Sequence, residues 1–249
     1  MHALLLTIDQ KKLQMESKKA RLDRFISIKT GINRRDVKQL LAQKRVFING
    51  QPATTANQVI DQFTQIECDG KSLQNNKPIY IMMNKPVGVI SATKDDQHKT
   101  VLDLLQPLYP NVHIAGRLDL NSSGLLLLTN HGEWSRNLTS PNKKVNKVYK
   151  VTLEKPLTKE YAEVFAKGMF FPYENITTLP AQLEIISEHV AEVTLKEGRY
   201  HQIKRMFGRF RNPVLKLHRV SIGALTLDES LKPGESRELT VQEVQSLNH

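Results

Sequence analysis

The stretch best equipped for chemistry runs from Ala115 to Thr129, where Gly116, Arg117, Asp119, Ser122, Ser123 and Gly124 stand between two apolar runs. A short strand leads into Gly116, a polar loop carries Arg117 and Asp119, and Gly124 re-enters a buried strand. A carboxylate held at glycine-bounded turns between strands projects from a rigid scaffold, which suits a reacting group. The same two residues would serve equally well as a structural Arg117–Asp119 ion pair. Tyr149 alternates on an apolar strand and by itself reads as core, as does Ile203. Lys204, Arg205, Arg209 and Arg211 crowd one short stretch and fit phosphate contacts. His201 and His218 read as structural or ligand-facing before catalytic, and Trp134 as packing beneath the loop.

Other chemistries lack their residues. No G-x-x-x-x-G-K-[ST] or post-strand G-x-G-x-x-G is present to cradle nucleotide phosphates. The eight histidines are scattered, without H-E-x-x-H or metal-ligand spacing, and no G-x-S-x-G elbow occurs. Cys68 is the only cysteine, which removes an internal disulfide or redox pair and fits a cytoplasmic protein. Any reaction then falls to carboxylates, tyrosines and basic residues, with neither metal nor cofactor expected. The apolar run Leu125–Leu128 is far short of a membrane span, and Met1–Ile8 does not read as a secretory signal.

Charge is unevenly spread. Residues 1–77 carry 14 basic and 7 acidic side chains, and residues 196–219 carry 8 basic side chains against Glu197 alone. The body between is neutral and the tail acidic, so two basic islands flank it, a pattern expected of a polyanion binder. Neither island has the amphipathic apolar face that a membrane surface requires.

These residues need elements to position them. Residues 1–20 read as a loosely ordered extension. Arg21–Lys29 suits a short helix stopping at Gly31, and Asn33 an N-cap for a second helix. That second helix places Val37, Leu40 and Leu41 on one face and Arg34, Arg35 and Lys38 on the other. Arg45–Gly50 is a strand running into an Asn-Gly hairpin turn. A small module over 21–70, a linker over 71–77 and a larger domain over 78–249 follow. In the larger domain strands are expected at Ile79–Met83, Gly88–Ala92, Val112–Ala115, Leu125–Thr129, Val148–Leu153, Ala181–Ile186, Ala191–Lys196 and Val214–Ile222. Helices are expected at Val101–Leu105, Thr158–Lys167 and Tyr200–Phe210. Helices interrupt only some strand pairs, so the fold class is α+β with a mixed or antiparallel sheet.

Three segments together resemble a known family. Gly116-Arg-Leu-Asp119 with Ser122-Ser-Gly-Leu-Leu126 is similar to the motif that carries the aspartate of RNA pseudouridine synthases. Lys147-Val-Tyr-Lys-Val151 resembles their second motif, and Glu197-Gly-Arg-Tyr-His-Gln-Ile-Lys-Arg-Met-Phe207 their third. Residues 21–66 resemble an S4 RNA-binding domain. Asn130–Trp134, Tyr200–Phe207 and Leu217–Gly223 look like the branch acting on 16S ribosomal RNA. The likeness runs from about Arg21 to Thr240, and Ser122 stands where the family often has Thr.

The resemblance implies a larger synthase domain behind an S4-like module, and isomerisation of a flipped-out uridine without a cofactor. It assigns Asp119 to the reacting carboxylate and Lys204 to the cation that would keep it ionised. Tyr149 would supply the ring under the base and a phenol for proton transfer. Ile203 would pack on the base, and Arg117, Arg199 and Arg205 would bind RNA there, with Arg34, Arg35 and Lys38 binding it on the module. The expected partner is 16S rRNA or a small-subunit assembly intermediate, met by a monomer in the cytoplasm without a membrane. The alternatives are a sister synthase acting on 23S rRNA and a non-enzymatic S4-type assembly protein.

Overall fold

The first helix ends where its sequence runs out of side-chain-compatible backbone: Gly31 adopts φ 75° and its N–H bonds Ser27 O. The computed structural model describes residues 19–105, 109 and 111–247, and the chain divides into two compact units between Pro78 and Ile79. In the first unit β1 (Lys19–Arg21) precedes α1 (Leu22–Thr30) and α2 (Arg34–Ala42). Asn33 caps α2 by accepting from Arg35 N, and Leu22, Phe25, Ile26, Val37, Leu40 and Leu41 pack together. A four-stranded antiparallel sheet adds the rest of that core through β2 (Val46–Ile48), β3 (Gln51–Pro52), β5 (Ile66–Cys68) and β6 (Lys71–Gln74), while β4 (Val59–Asp61) pairs with β1. At the Asn49-Gly50 turn both residues have positive φ, as a two-residue hairpin requires.

Two expectations change here. Lys19 and Ala20 of the expected extension form part of β1, and residues 1–18 lie outside the described residues. Lys71–Gln74 is a strand and not linker. Asp69 and Gly70 take φ 52° and 74°, so the dipeptide turns the chain back onto β5 instead of releasing it.

The second unit is built on a nine-stranded sheet. Its path runs β13 (Gln182–Ser187), β14 (Val190–Leu195), β10 (Lys147–Leu153), β15 (Val214–Ile222), β9 (Ser123–Thr129), β7 (Tyr80–Lys85) and β17 (Ser236–Glu238). Short strands β8 (His113–Ile114) and β16 (Leu225–Thr226) pair with β9 and β15. Every pairing is antiparallel except β9 with β15, so the sheet is mixed, as expected. Strand β9 explains its own centrality. Leu125 to Leu128 are all fully buried, Leu126 and Leu128 in one apolar cluster and Leu125 and Leu127 in another. A strand buried on both faces reads as a continuous apolar run, and each such leucine is worth about 1.5–3 kcal/mol of transfer free energy. One face is covered by α4 (Lys159–Lys167) and α5 (Gln202–Gly208) through Phe165, Ile203, Met206 and Phe207. The other is covered by α3 (Gly132–Thr139), whose buried Trp134 meets Tyr80 edge-on at 4.9 Å.

Two expected elements do not form. Gly88–Ala92 contributes a single bridge, Ile90 to Thr100, and Val101–Leu105 is a run of turns. Thr100 and Asp103 exchange the reciprocal bonds of a helix-starting box, Asp103 Oδ2 accepting from Thr100 N–H and Thr100 Oγ1 from Asp103 N–H, yet the residues that follow stay in turns. Among the described residues no helix is long and apolar enough to cross a membrane. The small antiparallel hairpin of β11 (Phe170–Phe171) and β12 (Ile176–Thr177) stands apart from the sheet path.

Candidate active site

The loop from Gly116 to Ser122 is fixed by its backbone before its side chains are considered. Ser122 N–H bonds Asp119 O at 3.0 Å, making a tight turn. Ser91 brackets the loop, its hydroxyl donating to Leu118 O and accepting from Leu118 N–H. Two buried cations hold it from below. Lys85, fully buried at the end of β7, donates from Nζ to Pro86 O, Asp119 O and Ser122 O at 2.9, 3.1 and 2.8 Å. Burial pulls its ammonium down to about 8, with Arg219 adding to the effect and Asp119 opposing it. Arg219, 2% exposed, donates from Nε to Leu125 O at 2.7 Å and reaches the carbonyls of Arg117 and Gly116 at 3.4 and 3.5 Å.

Gly124 lets this happen. At φ 104° it lies so close to β15 that a Cβ would collide with the backbone carbonyl of Arg219. Only glycine permits both the left-handed backbone and the approach. The parallel register sets His218 against Ser123 and Arg219 against Gly124, and Ser123 Oγ meets His218 Nδ1 at 2.9 Å.

Above that frame lies a cavity of about 550 Å³, within the range of small-molecule and nucleoside pockets. Asp119, Arg117, Tyr149, Arg199 and Ile203 line it. Asp119 Oδ2 stands 3.8 Å from Lys204 Nζ and 3.4 Å from His201 Nε2, so two nitrogen-bearing side chains from one turn of chain face a single carboxylate oxygen. Lys204 approaches from α5, outside the cavity lining. Tyr149 is 8% exposed on β10, its register opposite Val193 on one side and Arg219 on the other. Lys147, also lining the cavity, has its ammonium lowered by burial and by Arg219. Glu197 ties the rim, accepting from Leu179 N–H, Gln202 Nε2 and Arg199 Nε at 2.8–2.9 Å.

Sequence reasoning expected Asp119, Tyr149, Lys204, Ile203, Arg117 and Arg199 together, and the fold brings them together. Arg205 is different. Its guanidinium forms a bidentate pair with Glu174 and lies 3.8 Å over the Phe171 ring, so it is engaged by protein where RNA contact was expected. Arg199 is likewise paired with Glu197 at 2.9 Å. Arg34, Arg35 and Lys38 belong to the first unit. Arg35 and Lys38 are exposed, whereas Arg34 is paired at 3.1 Å with Asp23, a buried carboxylate that Arg21 also holds. Lys85, Arg219 and the His201 contact were missed. Arg219 was detectable in principle, standing two residues after buried Leu217 on an alternating strand, and Lys85 as a cation closing an apolar run before proline. Among the described residues no cluster of three or more His, Cys, Asp or Glu side chains could hold a metal ion.

Comparison with known proteins matches the same two units. Residues 79–208 match the family model for RNA pseudouridylate synthase and residues 20–66 the S4 domain model. Over 229 residues the chain is 47% identical to the ribosomal small subunit pseudouridine synthase A of Pseudomonas aeruginosa, covering 91% of this chain and 100% of that one. The Escherichia coli K12 protein of the same name is 42% identical over 91% of this chain and 99% of its own. A crystal structure of a pseudouridylate synthase aligns at TM-score 0.67 and 39% identity, over 91% of this chain and 99% of that chain.

Proposed function

Since the chain belongs to the RNA pseudouridylate synthase family, we propose that its substrate is one uridine of 16S ribosomal RNA, free or in an assembling small subunit. The curated relatives' names, which specify the ribosomal small subunit, support that choice over large-subunit RNA. The reaction breaks the N1–C1′ bond, turns the uracil and joins C5 to C1′, and the proton lost from C5 is balanced by one gained at N1. Nothing is oxidised or hydrolysed. A carboxylate suits it, because it can engage the sugar at C1′ or take a proton from a neighbouring ribose carbon and then withdraw.

Asp119 is the carboxylate, with Lys204 and His201 facing its Oδ2 and aiming it. Tyr149 and Ile203 accept the uracil between them, and the phenol of Tyr149 serves the proton transfer that follows the turn of the base. The flipped nucleotide leaves its stack to enter the cavity. Arg117, exposed at the cavity, meets a phosphate flanking that nucleotide, while Arg199, held by Glu197, shapes the rim. The S4 unit supplies affinity through Arg35 and Lys38 and takes no part in the chemistry. The protein works in the cytoplasm as a monomer, where its RNA is made.

The observation that carries this reading is the single oxygen of Asp119 facing both Lys204 and His201 at a nucleoside-sized cavity. A pseudouridine map of both ribosomal RNAs from cells lacking the gene tests it. One small-subunit uridine should stay unmodified and be restored by the wild-type gene but not by Asp119→Asn. A site lost from the large subunit instead would overturn the substrate choice.

A further inference from the structure

Tyr200 is a large aromatic side chain left 72% exposed at the rim of the cavity. A scattered surface tyrosine needs no explanation, but this one is held in place. Its ring lies parallel to the imidazole of His201, at 3.9 Å between centroids and 18° between planes. The imidazole's Nε2 is 3.4 Å from Asp119. His201 sits at φ 48°, a backbone region that non-glycine residues seldom occupy, and this directs consecutive side chains onto one stack. The backbone is tethered as well. Arg205 Nη1 donates to Tyr200 O at 3.4 Å, and that guanidinium is itself fixed by Glu174 and the Phe171 ring. The whole stretch lies in the basic island of residues 196–219.

We propose that Tyr200 is a stacking platform for the RNA base next to the flipped uridine. The inference rests on the reading that a flipped uridine occupies the Asp119 cavity. Tyr149 is buried on β10 whereas Tyr200 is exposed and already stacked on His201, so the two rings take different partners. Tyr200 is placed for the neighbouring nucleotide, whose base loses its own stacking partner when the uridine leaves. An exposed aromatic ring of fixed orientation replaces that partner without an ordering cost at binding, and accepts any base because each has a π-face. Arg205, which the sequence suggested as an RNA ligand, acts here by holding the platform.

The test uses the full chain and an RNA fragment of the small-subunit target, with 2-aminopurine placed in turn on each side of the target uridine. Binding of wild type, Tyr200→Phe and Tyr200→Trp should quench the probe on one side. Tyr200→Leu should lose that quench and raise the half-saturating RNA concentration about tenfold. An abasic nucleotide at the same side should weaken wild type by a similar factor and Tyr200→Leu hardly at all. Equal quenching by wild type and Tyr200→Leu, no quenching on either side, or an undiminished abasic penalty in the Leu variant would overturn the proposal. Wild-type turnover on the fragment tests the substrate reading separately, because the fluorescence comparison is made on bound RNA whether or not pseudouridine forms.

Discussion

Replacing Lys85 by Met separates the stability of this fold from the placement of its carboxylate. Two effects oppose each other. The wild-type ammonium sits at about 8 against an ordinary 10.5, so burying its charge costs about 3 kcal/mol at neutral pH, which Met removes. Met also strips a charged donor from three carbonyls. Asp119 O keeps its bond from Ser122 N–H, leaving Pro86 O and Ser122 O most affected, at about 1–3 kcal/mol each. The balance is a net loss of about 1 kcal/mol, a few degrees in melting temperature. Turnover should suffer far more, because the turn bearing Asp119 loses its tether, and a displacement of about 1 Å at a reacting group costs around 100-fold. The sign with pH is fixed. Between pH 8 and 10.5 the unfolded chain binds the extra proton, so this lysine makes wild type gain stability as pH rises. The variant lacks that gain, and the two denaturation midpoints should diverge in favour of wild type toward pH 10. Urea titrations at several pH values, with single-turnover pseudouridine formation at pH 7, read both quantities. A stably folded Lys85→Met with wild-type turnover would refute the tethering argument, and a difference between the midpoints that ignores pH would refute the buried charge.

Asp119→Asn should abolish turnover while RNA affinity and melting temperature hold, and a substantial residual rate of pseudouridine formation would remove Asp119 from its role. Tyr149→Phe should still bind RNA and detach uracil but stall before product release in a quench-flow experiment, whereas Tyr149→Leu should weaken binding. Wild-type behaviour of the Leu variant in both would make Tyr149 a packing residue. Alanine at Arg35 and Lys38 should flatten log affinity against log salt by about 1.4–1.8 units. Arg34→Ala should add little to that slope, because Asp23 already occupies Arg34, and should lower the melting temperature instead; an equal contribution from all three would refute that distinction.

The elements whose signals are local were legible in the sequence. Strand β15 falls at Val214–Ile222 as its alternation predicts, and Gly31 and Asn33 bound their helices as capping chemistry requires. Val101–Leu105 was not, because Thr100 and Asp103 supply a helix-starting box there while the segment itself stays in turns. The helix α6 (Val241–Ser246) shows a signal that was present and passed over, since Thr240 and Glu243 form a capping box. At the site, residue types pointed to Asp119, Tyr149 and Lys204, but pairing across the sheet decides what each cation does. Arg205 finds Glu174, 31 residues away, and Arg219 reaches carbonyls more than 90 residues away, relations that no local pattern encodes.

The parallel contact of Gly124 with Arg219 also orders events during synthesis. The loop carrying Asp119 leaves the ribosome about 100 residues before the strand whose arginine holds its carbonyls, an interval of roughly 5–20 s at ordinary elongation rates. During that interval the first unit, complete by Pro78, has all the chain its core needs. A nascent chain stalled short of β15 would therefore carry a complete first unit while the carbonyls of Gly116 and Arg117 still lacked Arg219.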